Sequence, residues 1–151
     1  MASNWDKSIS DAILSIESEN SEIIKSVSIK LFSAIIKSTP VANEDLWKRK
    51  PKEPHIGGGL RSNWFLTFTN PSSQYNESSI DKSGDKTIDR MVKKMDTHKQ
   101  GQSSYLLTNN SPYGERIEYH GHSSQAPDGM VRVNTMRFNQ LLKQSEREVL
   151  R

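Results

Sequence analysis

Apolar residues recur at helical spacing through the first quarter of the chain. Intervals of three and four residues join Ile9, Ala12, Ile13 and Ile16, and then Ile23, Ile24, Val27, Leu31, Ala34 and Ile35. This spacing predicts a helix over residues 7–37, because it places the apolar side chains on one face. The polar run Glu17–Glu22 is either the exposed face of one long helix or a break, after which Ser21 caps a second helix. Pro40 ends the pattern, since the residue before a proline avoids helical geometry.

An alternation of apolar and polar residues predicts the first strand, over residues 63–69. One face of this strand carries Trp64, Leu66 and Phe68. Polar segments rich in turn residues flank it, and residues 42–58 and 70–84 are predicted to be mobile loops. The run Gly57–Gly59 lacks the lysine and hydroxyl residue that complete a phosphate-binding loop, so it indicates a hinge.

The second half of the chain alternates between helical and extended patterns. A helix is predicted from Asp85 to about His98, closed by Gly101, with an apolar stripe made of Ile88, Met91, Val92 and Met95. Four further elements are predicted: a strand at 104–109, a short helix at 112–119, a strand at 130–133, and a last helix over 135–150 that Asn134 caps.

This order of elements predicts an α+β fold in which a small antiparallel or mixed sheet is flanked by a long N-terminal helix, a middle helix and a C-terminal helix. A chain of 151 residues suits a single domain, here 1–151. Its apolar fraction of 32% indicates a thin core. A thin core favours an assembly in which neighbouring subunits cover apolar surface.

Charge and composition exclude several classes of protein. The net charge is +3, and the basic run Lys48–Lys52 is short and has acidic neighbours, which favours a solvated loop over a nucleic-acid site. The absence of cysteine excludes disulfides and thiolate zinc sites. The first residues lack the pattern of a signal peptide, and no apolar run approaches the ~20 residues of a membrane span. We therefore expect a soluble, internally located protein.

The segment Asn110–Val131 (NSPYGERIEYHGHSSQAPDGMV) is the densest in residue types that can do chemistry. In an extended chain, Glu118, His120 and His122 would share one face and could hold a metal ion. A zinc site usually needs a fourth ligand, and the remaining histidines, His55 and His98, are distant in sequence. We therefore predict no metal, no cofactor and no catalytic residue.

The same segment also has the composition of a rigid docking element. On a short helix, Tyr113, Arg116 and Ile117 would share one face. Tyrosine and arginine are the residues most enriched at the energetic centres of interfaces, although a tyrosine and isoleucine here could equally fill a small core. The run Gln125–Met130 has the composition of a turn that returns the chain to the sheet.

Four blocks of the sequence together resemble a known family. They are Thr39-Pro40-Val41, Gly59-Leu60-Arg61-Ser62-Asn63-Trp64, the run from Tyr105 to Tyr119 (YLLTNNSPYGERIEY), and the run from Gln125 to Arg132 (QAPDGMVR). Their order and rough spacing over most of residues 39–138 resemble the neck or tail-completion proteins of long-tailed double-stranded DNA phages. The chain departs from the family pattern by an insertion at 42–58 and by His120-Gly121-His122, where a glycine commonly follows the tyrosine directly.

The resemblance implies a non-enzymatic virion protein of the phage neck, assembled in the host cytoplasm. It implies a homo-oligomeric ring, usually a hexamer, that completes the tail or connector so that head and tail join. The implied partners are the head–tail connector or adaptor, the tail terminator and the tail tube, with double-stranded DNA passing through the lumen without sequence reading and with no membrane contact.

The resemblance also implies roles for particular residues. Arg61 and Trp64 would anchor the strand and its loop. The surface that meets a neighbouring subunit would comprise Tyr113, Arg116, Glu118 and Tyr119. The return loop would be shaped by Pro127, Gly129 and Met130.

Three alternatives to this function remain open. The nearest is a tail terminator, another ring of similar size that caps the tail tube. The second is a metal-dependent enzyme that uses His120 and His122. The third is a DNA-binding module, whose affinity would fall steeply with salt.

Overall fold

The first helix, α1, runs without interruption from Asn4 to Ser38. The protein, for which we have a computed structural model, is described over residues 4–49, 51–53, 55–99 and 104–151. The polar run Glu17–Glu22 is therefore the exposed surface of one long helix, and the alternative of a break capped by Ser21 is wrong. At the usual rise per residue the helix is about 52 Å long.

Short elements follow, separated by long loops. After a 3₁₀ turn at Glu44–Leu46 they are α2 (Gly59–Ser62), β1 (Trp64–Thr67), α3 (Asp85–Met95), β2 (Leu106–Asn109), α4 (Gly114–Tyr119), α5 (Val131–Thr135) and α6 (Phe138–Val149). The predicted helix from Asp85 thus ends three residues earlier than expected, and its predicted closing residue, Gly101, lies outside the described residues. The predicted mobility of 42–58 and 70–84 stays a prediction.

Within the described residues, the sheet consists of β1 and β2, paired antiparallel with Trp64 opposite Asn109 and Thr67 opposite Leu106. Two strands alone are marginally stable in water, so this hairpin depends on the helices that cover it. The α+β class with a small antiparallel sheet is confirmed.

The core lies between the C-terminal half of α1, the sheet and α3. It contains the predicted strand face and helix stripe, and its buried members are Ile35, Ile36, Leu60, Trp64, Leu66, Phe68, Met91, Met95, Ile117, Ala126 and Met130. Burial of such side chains is the main favourable term for a small domain.

Helices α3 and α6 both run antiparallel to the C-terminal half of α1. Lys37 pairs with Asp85 at the start of α3, and Lys25 pairs with Asp96 just after its end. Towards the end of α6, the Ser26 hydroxyl donates to the Ser145 hydroxyl at 3.1 Å, whereas Asn134, before the start of α6, donates to the Ser38 hydroxyl at 2.9 Å. Surface ion pairs contribute little stability, but they show how the helices are aligned. The N-terminal half of α1 extends beyond both neighbours, and every side chain described over 7–13 and 15–22 is exposed.

The prediction of a strand at 130–133 is wrong, because these residues begin helix α5. The first N–H groups of a helix have no partner within it. Here the Glu118 carboxylate supplies the partner, accepting from the backbone N–H of Met130, Val131 and Arg132 at 2.6, 2.9 and 3.0 Å. A long-range contact thus makes a β-branched segment helical.

Asn134 does not cap the last helix, which begins at Phe138. It lies inside α5 and is 3% exposed. Its amide donates to Met130 O at 2.7 Å and to the Ser38 hydroxyl at 2.9 Å. The residue therefore joins the short helix α5 to the end of α1.

Candidate interaction surface

Glu118 lies in the last turn of α4 and holds the return loop that joins α4 to α5. The family resemblance implies that it belongs to the surface that meets a neighbouring chain, but it is 6% exposed and its carboxylate is occupied within its own chain. Burial alone would raise the pKa of Glu118; the hydrogen bonds from Arg132, Val131 and Met130 outweigh burial and hold the pKa below its usual value. The Arg132 side chain also reaches Glu118, with Nε 3.3 Å from Oε1. Glu118 therefore shapes the loop and does not present its charge to a neighbour.

Gly129 is required where the chain passes Glu118. Its φ is +93°, and a Cβ at this position would stand 2.7 Å from Glu118 O. Residues with side chains rarely adopt such a φ, and the contact would force the loop to shift. Its neighbour Met130 is 2% exposed and belongs to the core, so these two residues fix the loop from inside.

Arg61 and Trp64 both bind the C-terminal end of α1 through Thr39. The Trp64 indole donates to Thr39 Oγ1 at 2.8 Å. Arg61 donates to Thr39 O at 2.7 Å, to Lys37 O at 2.9 Å and to Lys82 O at 2.5 Å. A cation at the carbonyl end of a helix is favourable. Because Arg61 also donates to Lys82 O, it joins the end of α1 to the loop 70–84. Trp64 is 5% exposed and acts within the subunit.

Four predicted interface residues do lie at the surface of the subunit. They are Tyr113, Arg116, Tyr119 and Pro127. Tyr119 is 62% exposed, and the Arg132 guanidinium lies 5.1 Å from the centre of its ring. Helix α4 with its N-cap and the start of α5 thus hold two tyrosines and two arginines towards solvent, a composition that is enriched in the energetic centres of interfaces.

A cleft of about 850 Å³ lies beside this loop. Its walls come from the segment after α1, the 3₁₀ turn, α2, α4 and residues 120–125. Leu46 and Trp47 are 55% and 39% exposed at its edge. Tyr113 lines it as well, and burial raises the pKa of its phenol above the ordinary value of 10.0. The sequence contains one signal for this cleft, the apolar pair Leu46-Trp47 within a polar loop, and this pair was not predicted as a site.

His120 and His122 also line the cleft, as does His55 from the loop between the 3₁₀ turn and α2. In the part of the chain that the structure describes, no three His, Cys, Asp or Glu side chains are grouped so that they could hold a metal ion. Glu118, the third ligand that the extended spacing suggested, belongs to helix α4 and is occupied by backbone N–H groups. The structure therefore does not bring these three residues together as a metal centre.

A second surface, not predicted as a site, is the N-terminal half of α1. Ile9, Ile13 and Ile16 are 50%, 51% and 57% exposed. Their stripe continues at intervals of three and four residues into Val27 and Ile35, which are buried against the rest of the subunit. The spacing alone predicts a buried face; only the position of α3 and α6 shows which half is left uncovered.

Comparison with known proteins adds no relative: no family model, curated protein or solved structure matches the chain. None of the described helices is both long and apolar enough to cross a membrane. The fold and surface define an α+β chain with a projecting N-terminal helix and a cleft beside the return loop.

Proposed function

We propose that this protein is a structural component of a phage neck, which forms a homo-oligomeric ring at the head–tail junction and completes the tail or connector for joining. The sequence support is the resemblance of four ordered blocks over residues 39–138. Two of these blocks coincide with structural features: Arg61 and Trp64 hold the end of α1, and the run 125–132 forms the return loop around Glu118.

The observation that carries the proposal is the uncovered apolar face of α1. Three isoleucines in a row along the helix are half exposed, namely Ile9, Ile13 and Ile16. Apolar surface in water costs about 25 cal/mol per Å², and contiguous exposed apolar patches mark sites of association. A neighbouring chain would cover this face, as happens between the subunits of a ring protein.

The return loop supplies the second support. Hydrogen bonds to Glu118 and the close passage of Gly129 hold the loop in one shape, so that Tyr119 and its stacked partner Arg132 are preorganised. Preorganised side chains lose little entropy on binding. Under this proposal the surface around Tyr113, Arg116 and Tyr119 meets a connector, adaptor, terminator or tail tube protein, and DNA passes through the lumen without base readout.

Assembly of particles without this protein tests the proposal. The expected result is DNA-filled heads and separate tails that join when purified protein is added back. Normally joined particles would refute the neck assignment. Cross-linking within complete particles separates the neck from the tail terminator, because a terminator would cross-link to the tail tube protein and a neck component to the connector.

A further inference from the structure

We propose that the N-terminal half of α1 of one copy docks into the cleft of a second copy, in a head-to-tail contact. This inference deepens the proposed function and rests on it for the closure of a ring. The contact itself is a property of the purified chain. The two surfaces are defined here as the α1 arm, residues 7–22, and the basic cleft, the 850 Å³ space beside α4.

The α1 arm is acidic as well as apolar. It carries one lysine, Lys7, against four carboxylates, which are Asp11, Glu17, Glu19 and Glu22. At 100° per residue, Glu17 and Glu19 flank the isoleucine stripe on opposite sides. The arm therefore presents a row of aliphatic side chains bordered by negative charge.

The basic cleft has the complementary chemistry. Its apolar walls include Val41, Leu46, Trp47, Leu60 and Ile117. Its cationic residues are Lys48 and Arg49; three neutral histidines, His55, His120 and His122, also line it, and none of the described residues that line it is acidic. The nearest carboxylate is Glu44 in the adjoining 3₁₀ turn, which accepts from the backbone N–H of His55. An apolar floor suits isoleucine side chains, and a basic border suits the flanking glutamates.

The arm cannot fill the cleft of its own subunit. Pro40 and Val41 line the cleft, so it lies beside the C-terminal end of α1. The arm is the N-terminal half of the same continuous helix. Residue 22 lies roughly 24 Å from the end of α1 at Ser38, at the helical rise. Helices α3 and α6 hold the C-terminal half in place, so the occupant has to come from another copy.

Pairing of two α1 arms is disfavoured, because it would bring four carboxylates from each chain together. Nucleic acid is a poorer occupant than a helix, because a phosphate backbone gains nothing from the aliphatic walls around Leu60 and Ile117. A contact between opposite ends of a subunit is heterologous, and such contacts close into rings when the rotation between neighbours permits.

Engineered cysteines test the contact directly, since the chain has no cysteine of its own. Single variants N20C and S124C are mixed and treated with a short bismaleimide cross-linker. Asn20 lies on the isoleucine side of the arm and Ser124 lines the cleft, and both are exposed, so the apolar side chains of the contact stay intact. We expect cross-linked dimers in the mixture and none with N20C alone. Cross-linking of N20C to itself with equal yield would overturn the proposal in favour of paired arms.

Sedimentation of surface variants provides the energetic test. We expect Ile13→Ser and Trp47→Ala each to weaken self-association about tenfold or more, because each removes an apolar side chain from the contact. The matched control is Ser18→Ala, on the opposite side of the arm, and it should associate like the wild type. Circular dichroism checks that each variant is folded. A chain that stays monomeric up to about 1 mM overturns the proposal.

Two mixtures complete the design. Ile13→Ser mixed with Trp47→Ala should form dimers through the one intact contact and nothing larger. A duplex oligonucleotide that abolishes the cross-link between N20C and S124C would assign the cleft to nucleic acid and overturn the proposal. Joined particles formed without the protein would refute the neck function but leave the contact standing, so the two failures are distinguishable.

Discussion

Gly129 and Glu118 lie so close that a Cβ on residue 129 would stand 2.7 Å from Glu118 O and 2.8 Å from its Oε1. Since the φ of Gly129 is also +93°, both space and backbone geometry require glycine. This contact lets the loop fold back so that the Glu118 carboxylate meets the start of α5.

Gly129→Ala should therefore destabilise the protein by about 1–3 kcal/mol in chemical unfolding. The control is Gly114→Ala, because a Cβ there would meet nothing closer than Leu60 Cδ1 at 3.9 Å. We expect the control to stay within about 1 kcal/mol of the wild type, on either side. Equal losses for both variants would contradict the tight passage beside Glu118.

Glu118→Gln should cost about 2 kcal/mol, because an amide offers one accepting oxygen where the carboxylate uses two for the N–H groups of α5. Hydrogen exchange at Val131 and Arg132 reports the loss directly and should accelerate. Glu115→Gln, on the exposed side of α4, is the matched control and should leave this exchange unchanged. Protection that persists in Glu118→Gln would show that α5 does not need its cap.

The stability of the protein should fall on acidification. Burial acts to raise the pKa of Glu118 and of Asp81, but hydrogen bonds outweigh it and lower both from ordinary values of 4.5 and 3.8. Folding therefore favours the ionised forms, so their contribution is complete above these ordinary values and is lost as pH drops through the lower folded values. Urea unfolding from pH 6 downward should show this loss as a falling free energy of unfolding. The slope of that free energy against pH should be shallower in Glu118→Gln. An unchanged slope would contradict the assignment to Glu118.

Thr39→Val keeps the shape of a residue that is 0% exposed but removes its hydroxyl. The Trp64 indole N–H would lose its acceptor, and an unsatisfied buried donor costs about 1–3 kcal/mol. Thermal unfolding should show a lower Tm, while the exposed Thr69→Val should leave it nearly unchanged. A Tm equal to that of the wild type would indicate that the indole finds another partner.

Two isoleucines of the same helix test the division of α1 into a covered and an uncovered half. Ile36 is 0% exposed, so Ile36→Ala should cost about 2–5 kcal/mol. Ile16 is 57% exposed, so Ile16→Ala should stay within about 0.5 kcal/mol when unfolding is measured in dilute, monomeric solution. Similar losses at both positions would mean that the α1 arm packs within its own subunit.

Local patterns in the sequence were sufficient for the elements that a simple periodicity marks. The helical spacing predicted α1, and the alternation of Trp64, Leu66 and Phe68 predicted a strand with one buried face, because both periodicities are properties of the backbone geometry itself. The α+β class followed from the order of these elements.

Tertiary contacts decided the rest. Residues 130–133 are helical because Glu118, distant in sequence, supplies the acceptor for their N–H groups. The same contact buries Glu118 and removes it from the surface that the sequence suggested. The spacing of apolar residues could not distinguish the covered half of α1 from the uncovered half, because it is the same in both. Only the lengths of α3 and α6 decide where the cover ends. The sequence thus determined which segments are amphipathic, and the packing of distant segments determined which apolar face remains for a neighbour.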